Sequence, residues 1–434
     1  MIDRIRNKFK GSPLTKRIAS GAFWSILGTA SAKAIVLVAG IICANILGKT
    51  SYGELGIVRS TISLFIVFGT AGLGVTATRF IAKYKKDDRE KVESIIGITS
   101  LFSLITATII TILVFLYAEK ISTNTLNNSE LKQSIQFASI ILFATILNGV
   151  YNGINTGFEN FKNIAINTLC SSIIEAVLII IGAYYWGVNG AVIGYGIGIF
   201  FLMLFNFITA RKTLAQIKGE ISFLKIKKND ISILYEFTIP AALSSFLVAP
   251  AYWVVRTLLV HYKDYGELGI FEAAEQWRII ILFIPSALSY IILPILSTYT
   301  DNEKDYKKAM KINILLNVSV AFILAIIISA CSNIIMNTYG SDFNNNIPLI
   351  LLAFSTVFSS FASVVGSAIV SQGKMWTGLV FNASWGCLFI GFTYLSLRLG
   401  YGAAGVASSL LLSYLFHSIS QSIYLYCTMK KYKE

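Results

Sequence analysis

Long runs of apolar residues follow one another along most of the chain, separated by short polar stretches. Each run is long enough to cross a hydrocarbon layer of roughly 30 Å, which takes about 20 helical residues. Polar and apolar positions do not alternate strictly inside the runs, so a β-barrel is disfavoured. Twelve spans are predicted: 18–46, 55–82, 92–118, 131–155, 164–186, 188–209, 231–261, 266–298, 309–338, 346–371, 376–398 and 403–427. The longest link, residues 210–230, leaves no room for a soluble domain. The expected class is an all-α polytopic membrane protein.

The chain also repeats itself. It reads SYGELG at residues 51–56 and DYGELG at residues 264–269, an offset of 213. Ser51 with Glu54, and Asp264 with Glu267, each fit a capping box, in which two side chains satisfy free amides at a helix start. Other matches fall at nearly the same offset. Gly187 and Gly190 correspond to Gly402 and Gly405, Asn167 to Asn382, and Gly157 to Gly373. With six spans per half, both halves enter the membrane in the same sense, which is a parallel repeat. The expected domains are two six-helix lobes, residues 1–212 and 213–434. Such lobes commonly enclose a substrate site near mid-membrane.

A net charge of +14 raises nucleic acid as a partner, but the basic residues follow topology instead. Of the 36 Lys and Arg, 27 lie in the termini and alternate links when residues at span ends are counted with the adjoining link; the other links hold 5. The positive-inside rule then places both termini in the cytoplasm. Clusters such as Lys83, Lys85, Lys86, Arg89 and Lys91 are topological signals that also attract anionic headgroups. The basic N-terminus resembles the start of a signal peptide, but the apolar run after it is too long, so a retained first span is expected. The five cysteines, in or at the ends of apolar runs and without a CxxC pair, read as small packing residues.

Seven ionisable residues lie well inside the spans: Lys33, Arg59, Glu175, Arg256, Glu272, Glu275 and Arg278. Each costs about 2.5–3.5 kcal/mol at a helix centre, so such residues tend to face protein or a water-filled cavity. Gly21, Ser25, Thr29 and Lys33 recur every four residues and form a small, polar stripe; Gly56, Arg59 and Ser63 form a similar face. In the aligned repeat Arg59 corresponds to Glu272. Glu272, Glu275 and Arg278 follow at spacings of three, which is also the pattern of a structural ion-pair cluster. A cavity holding Lys33, Arg59, Arg256 and Arg278 would favour an anion, and the planar arginine fork suits phosphate oxygens. Glu175, Glu272 and Glu275 are candidates for binding a coupling ion, H+ or Na+, or for ion pairing. Pro240 and Pro250 in span seven, and Pro285 and Pro294 in span eight, are candidate hinges. His261 and His417 read as interfacial or packing residues. No other cofactor and no metal are expected.

The basic N-terminus, ANILGKTSYGELGIVRS, GTAGLGVTATRFIAKYKKDD and YGSDFNNNIPLILLAFS together resemble the bacterial polysaccharide-transporter family, the O-antigen flippases called Wzx. That family lies in the superfamily of MATE drug exporters and the lipid II flippase MurJ. The resemblance covers nearly the whole chain. It implies an inner-membrane protein that moves an undecaprenyl-diphosphate-linked oligosaccharide from the cytoplasmic to the periplasmic leaflet, with a polysaccharide polymerase as partner. It also implies a cationic cavity, with Lys33, Arg59, Arg256 and Arg278 in comparable places; Glu272 and Glu275 depart from that pattern. Rival readings are a lipid II exporter, a MATE-like drug exporter and a membrane enzyme of polysaccharide assembly. Against the enzyme, the chain has no long outer loop, no His/Cys metal cluster and no nucleophile elbow.

Overall fold

The computed structural model describes residues 13–70, 72–216, 228–232, 238, 247–297, 303–371 and 375–431. Among them there are helices and turns and no strand. In chain order the helices are α1 (Pro13–Thr70), α2 (Leu73–Tyr84), α3 (Arg89–Lys120), α4 (Leu131–Gly157), α5 (Phe161–Gln216) and α6 (Val248–Tyr262). The rest are α7 (Tyr265–Ser297), α8 (Glu303–Ala330), α9 (Ser332–Asn337), α10 (Ile347–Ser371), α11 (Met375–Arg398) and α12 (Ala403–Lys431). Eight of the described helices are long and apolar enough to cross a membrane. Of these, α5 holds two expected spans, and α1 holds the first and most of the second. α7, of 33 residues, is comparably apolar but carries Glu272, Glu275 and Arg278 close together in its first half.

Glycines set the breaks. α1 leaves helical geometry at Gly48, with φ 73° and ψ 169°. Expected span two, 55–82, is also broken, because Gly72 is left-handed (φ 75°) just before α2. α5 breaks at Trp186 and Gly187 and folds back on itself. A Cβ on Gly182 or Gly190 would overlap the backbone of the other. Gly187 has φ 56° and ψ −137°, yet a Cβ there would meet nothing within 4 Å. Gly187→Ala therefore tests backbone strain without a steric clash, and a loss of about 1–3 kcal/mol is expected. Thermal unfolding of the purified protein checks this, with Gly391→Ala as the control, since that glycine also faces open space without a strained φ.

Lipid is as apolar as a protein core, so close van der Waals fit, more than burial, holds membrane helices together. One large buried cluster joins the two halves of the chain, including Leu55 and Val58 of α1, Val255 and Leu259 of α6, and Leu268 and Phe271 of α7. The two YGELG copies lie within it, packed on each other. A Cβ on Gly53 would overlap the carbonyl oxygen of Tyr265, and one on Gly269 that of Lys49. Three hydrogen bonds secure the same end of the molecule. The Gln276 amide donates to the Tyr52 hydroxyl (2.6 Å), the Tyr339 hydroxyl donates to Gln276 (3.0 Å), and Tyr265 donates to the Leu126 carbonyl (2.6 Å).

The capping boxes form only in part. Asp264 accepts from the Glu267 amide at 2.8 Å, but the Glu267 carboxylate does not turn back. It reaches the free Ala403 amide at the start of α12, 2.6 Å away. Glu54 likewise accepts from the Asn128 side chain at 2.9 Å. Both glutamates thus tie separate segments together, a geometry that short-range spacing does not reveal. The expected hinges change too. Pro250 stands in the first turn of α6, where a missing amide hydrogen costs no helical bond. α7 continues through Pro285 and Pro294, and Pro240 lies outside the described residues.

Candidate functional site

A cavity of about 430 Å³ opens where α1, α6, α7 and α12 meet. The wall on α1 is Gly56, Arg59, Ser60 and Ser63, which share one helical face by their spacing. Tyr252 and Arg256 of α6 form part of the opposite side with Glu272, Glu275 and Arg278 of α7. Tyr414 of α12 completes it. Gly56 is small for a reason: a Cβ there would press into the Glu272 side chain.

The three arginines stand in different surroundings. Arg256 is 9% exposed and donates through Nε to Glu272 at 2.5 Å. Arg278 is 5% exposed and donates to Glu275 at 2.7 Å within the same helix. Both pairs lie within the second half of the chain, so they do not tie the two halves together. Arg59 makes no ion pair among the described residues. Its guanidinium lies over the Tyr195 ring, 5.1 Å from the centroid, and its Nε is buried without a hydrogen-bond partner. Glu175 is within electrostatic reach of Arg59 without bonding to it. Three arginines against two glutamates leave the wall with a formal excess of one positive charge.

The remaining sequence-predicted residues fall elsewhere. Lys33 is half-buried on α1 and does not line this cavity. Ser25 and Thr29 of its stripe are exposed. Glu175 lies on α5, against Gly198. Of the histidines, His261 bonds Asn127 at 2.9 Å and His417 bonds Gln421 at 2.8 Å, both away from the cavity. Sequence reasoning passed over Tyr252 and Tyr414. In YWVVR the tyrosine precedes Arg256 by four residues, on the same helix face, and that spacing was the available signal. Tyr414 carried none.

The profile of the polysaccharide biosynthesis protein family matches residues 18–300. The chain belongs to this family. Over 422 residues it is 21% identical to the EPS I polysaccharide export inner membrane protein EpsE of Ralstonia solanacearum, covering 93% of this chain and 92% of that one. A 26% match to EpsE of Ralstonia nicotianae covers only 43% of this chain and 44% of that protein. Over 299 residues the chain is 22% identical to the lipid III flippase of Escherichia coli K12, covering 68% of this family member and 70% of that protein. Among solved structures it resembles an inward-facing multidrug resistance MATE family transporter of the MOP superfamily. The TM-score is 0.78 at 16% identity, over 94% of this chain and 99% of that one. The expected family and the all-α, two-lobed MATE fold are therefore both met, in a multi-pass membrane protein of the polysaccharide-transporter class.

Proposed function

We propose that this family member is a flippase. Its cargo is an undecaprenyl-diphosphate-linked oligosaccharide, which it moves from the cytoplasmic to the periplasmic leaflet of a bacterial inner membrane by alternating access. The observation that carries the reading is the arginine-bearing cavity between α1 of the first half and α6, α7 and α12 of the second. A sugar diphosphate cannot cross hydrocarbon unaided, because burying its charges and hydroxyls without partners is very costly. The polyprenyl tail has no such difficulty and stays in lipid. The names of the relatives, one a polysaccharide exporter and one a lipid flippase, support this cargo class over a drug.

On this reading the basic links and both termini face the cytoplasm, and the YGELG end, closed by the Gly53 and Gly269 contacts, faces the periplasm. The headgroup enters from the cytoplasmic side and its diphosphate docks on Arg59. The lobes, residues 1–212 and 213–434, then rock to release the sugar outward toward the polymerase that consumes it. Glu175, on α5 within electrostatic reach of Arg59, is the candidate for the coupling H+ or Na+. Lys33 does not line the cavity and has no part in the docking step.

The test is translocation of a labelled undecaprenyl-diphosphate sugar in proteoliposomes. Removing one charged hydrogen-bonding partner costs about 1.5–3 kcal/mol, so Arg59→Ala should slow transfer about 10- to 100-fold with the protein still inserted. Transfer by Arg59→Ala at the parent rate would overturn docking on Arg59, and no transfer by the parent protein would overturn the flippase reading.

A further inference from the structure

We infer that the cavity is chemically divided, with an anion-binding wall on α1 and a sugar-hydroxyl-binding wall on α6 and α7. The inference rests on the flippase reading and assigns the parts of the cargo to opposite sides of one chamber. Arg256 and Arg278 are each held by a carboxylate, at 2.5 and 2.7 Å. A phosphate brought to them would also meet Glu272 and Glu275, and like charges at such range cancel the attraction. A sugar hydroxyl is suited to that wall, because it donates and accepts at once and guanidinium–carboxylate pairs present both functions side by side.

Unpartnered polar atoms point the same way. Glu275 Oε2 is a buried acceptor with no donor, and Arg278 Nε and the Tyr252 hydroxyl are buried without partners. Buried polar groups are nearly always bonded, so three orphans in one wall mark where a polar ligand would be seated. On α1, where Glu272 packs against Gly56, Arg59 has an unpartnered Nε, no ion pair among the described residues, and Ser60 and Ser63 beside it. With Glu175 near but not bonded to it, its guanidinium is left with bonding capacity for an anion. Four arginine and lysine side chains acting together as one phosphate site, the expectation from sequence, thus gives way to one phosphate-facing arginine opposite two that are already paired.

The experiment measures binding of two lipids to the full chain in nanodiscs: undecaprenyl diphosphate alone, and the same lipid bearing N-acetylglucosamine. The parent protein is expected to bind the sugar-bearing lipid about 10-fold or more tightly than the bare one. Tyr252→Phe should erase most of that difference while leaving affinity for the bare lipid unchanged, whereas Glu275→Gln, which frees Arg278 of its counter-charge, should erase it by raising affinity for the bare lipid. Arg59→Ala should weaken both lipids by the same factor. Tyr252→Phe preserves ring packing, so it tests the wall even where Glu275→Gln fails to fold. Equal loss of both lipids in Tyr252→Phe, or no preference for the sugar in the parent, overturns the division but leaves the flippase reading standing. Binding of neither lipid by the parent overturns both.

Discussion

Gly53→Val is expected to abolish export. The Cβ of any residue at this position would occupy the space of the Tyr265 carbonyl oxygen, and the neighbouring atoms are backbone, which has no rotamer to move aside. Overpacking a close contact costs typically 1–3 kcal/mol when side chains can yield, and more where they cannot. On the proposed alternating-access cycle, closure of the YGELG end would be blocked, and with it the half of the cycle that needs that end sealed. Export measured in cells that depend on this protein should fall to background, with membrane abundance followed in parallel. Gly53→Ala should be impaired in the same sense but less severely. Normal export by Gly53→Val would mean that the two YGELG segments do not meet in the working protein.

Loss of one partner from the Glu275–Arg278 pair should have a comparably large effect on stability. Their side chains are 8% and 6% exposed. Glu275→Ala leaves the guanidinium buried without its counter-charge, and breaking a buried pair this way costs about 3–5 kcal/mol. The double variant Glu275→Met with Arg278→Met removes both charges and should recover most of that loss, because a well-packed apolar pair is often as stable as the ion pair it replaces. Sugar-dependent binding should not return with it. Thermal unfolding of the two variants in detergent decides the matter. If Glu275→Ala unfolds at the parent temperature, Arg278 is better solvated than its burial implies.

Much of the fold was legible because membrane helices announce themselves by length and composition. The eight described helices fit to cross a membrane follow from apolar runs, and the capping signal at Asp264 correctly marks a helix start. The α1 wall was legible as well, since Gly56, Arg59 and Ser63 share a face by spacing alone. What could not be read was pairing across helices. Arg256 meets a glutamate 16 residues further along on another helix, a contact fixed by how α6 leans on α7. The same limit explains Lys33, whose depth along α1 was clear from sequence while the direction it faces was not. The break at Gly72 was hidden because Gly is frequent in membrane helices and only its φ reveals a bend.

The contact between Gly53 and Gly269 has a further consequence for motion. Side chains can give way one rotamer at a time, so an interface built from them loosens gradually. Here main chain rests on main chain, and the two segments are either seated or apart. On the proposed alternating-access cycle such a seam would act as a latch with two positions, keeping solutes from leaking through while the opposite entrance stands open.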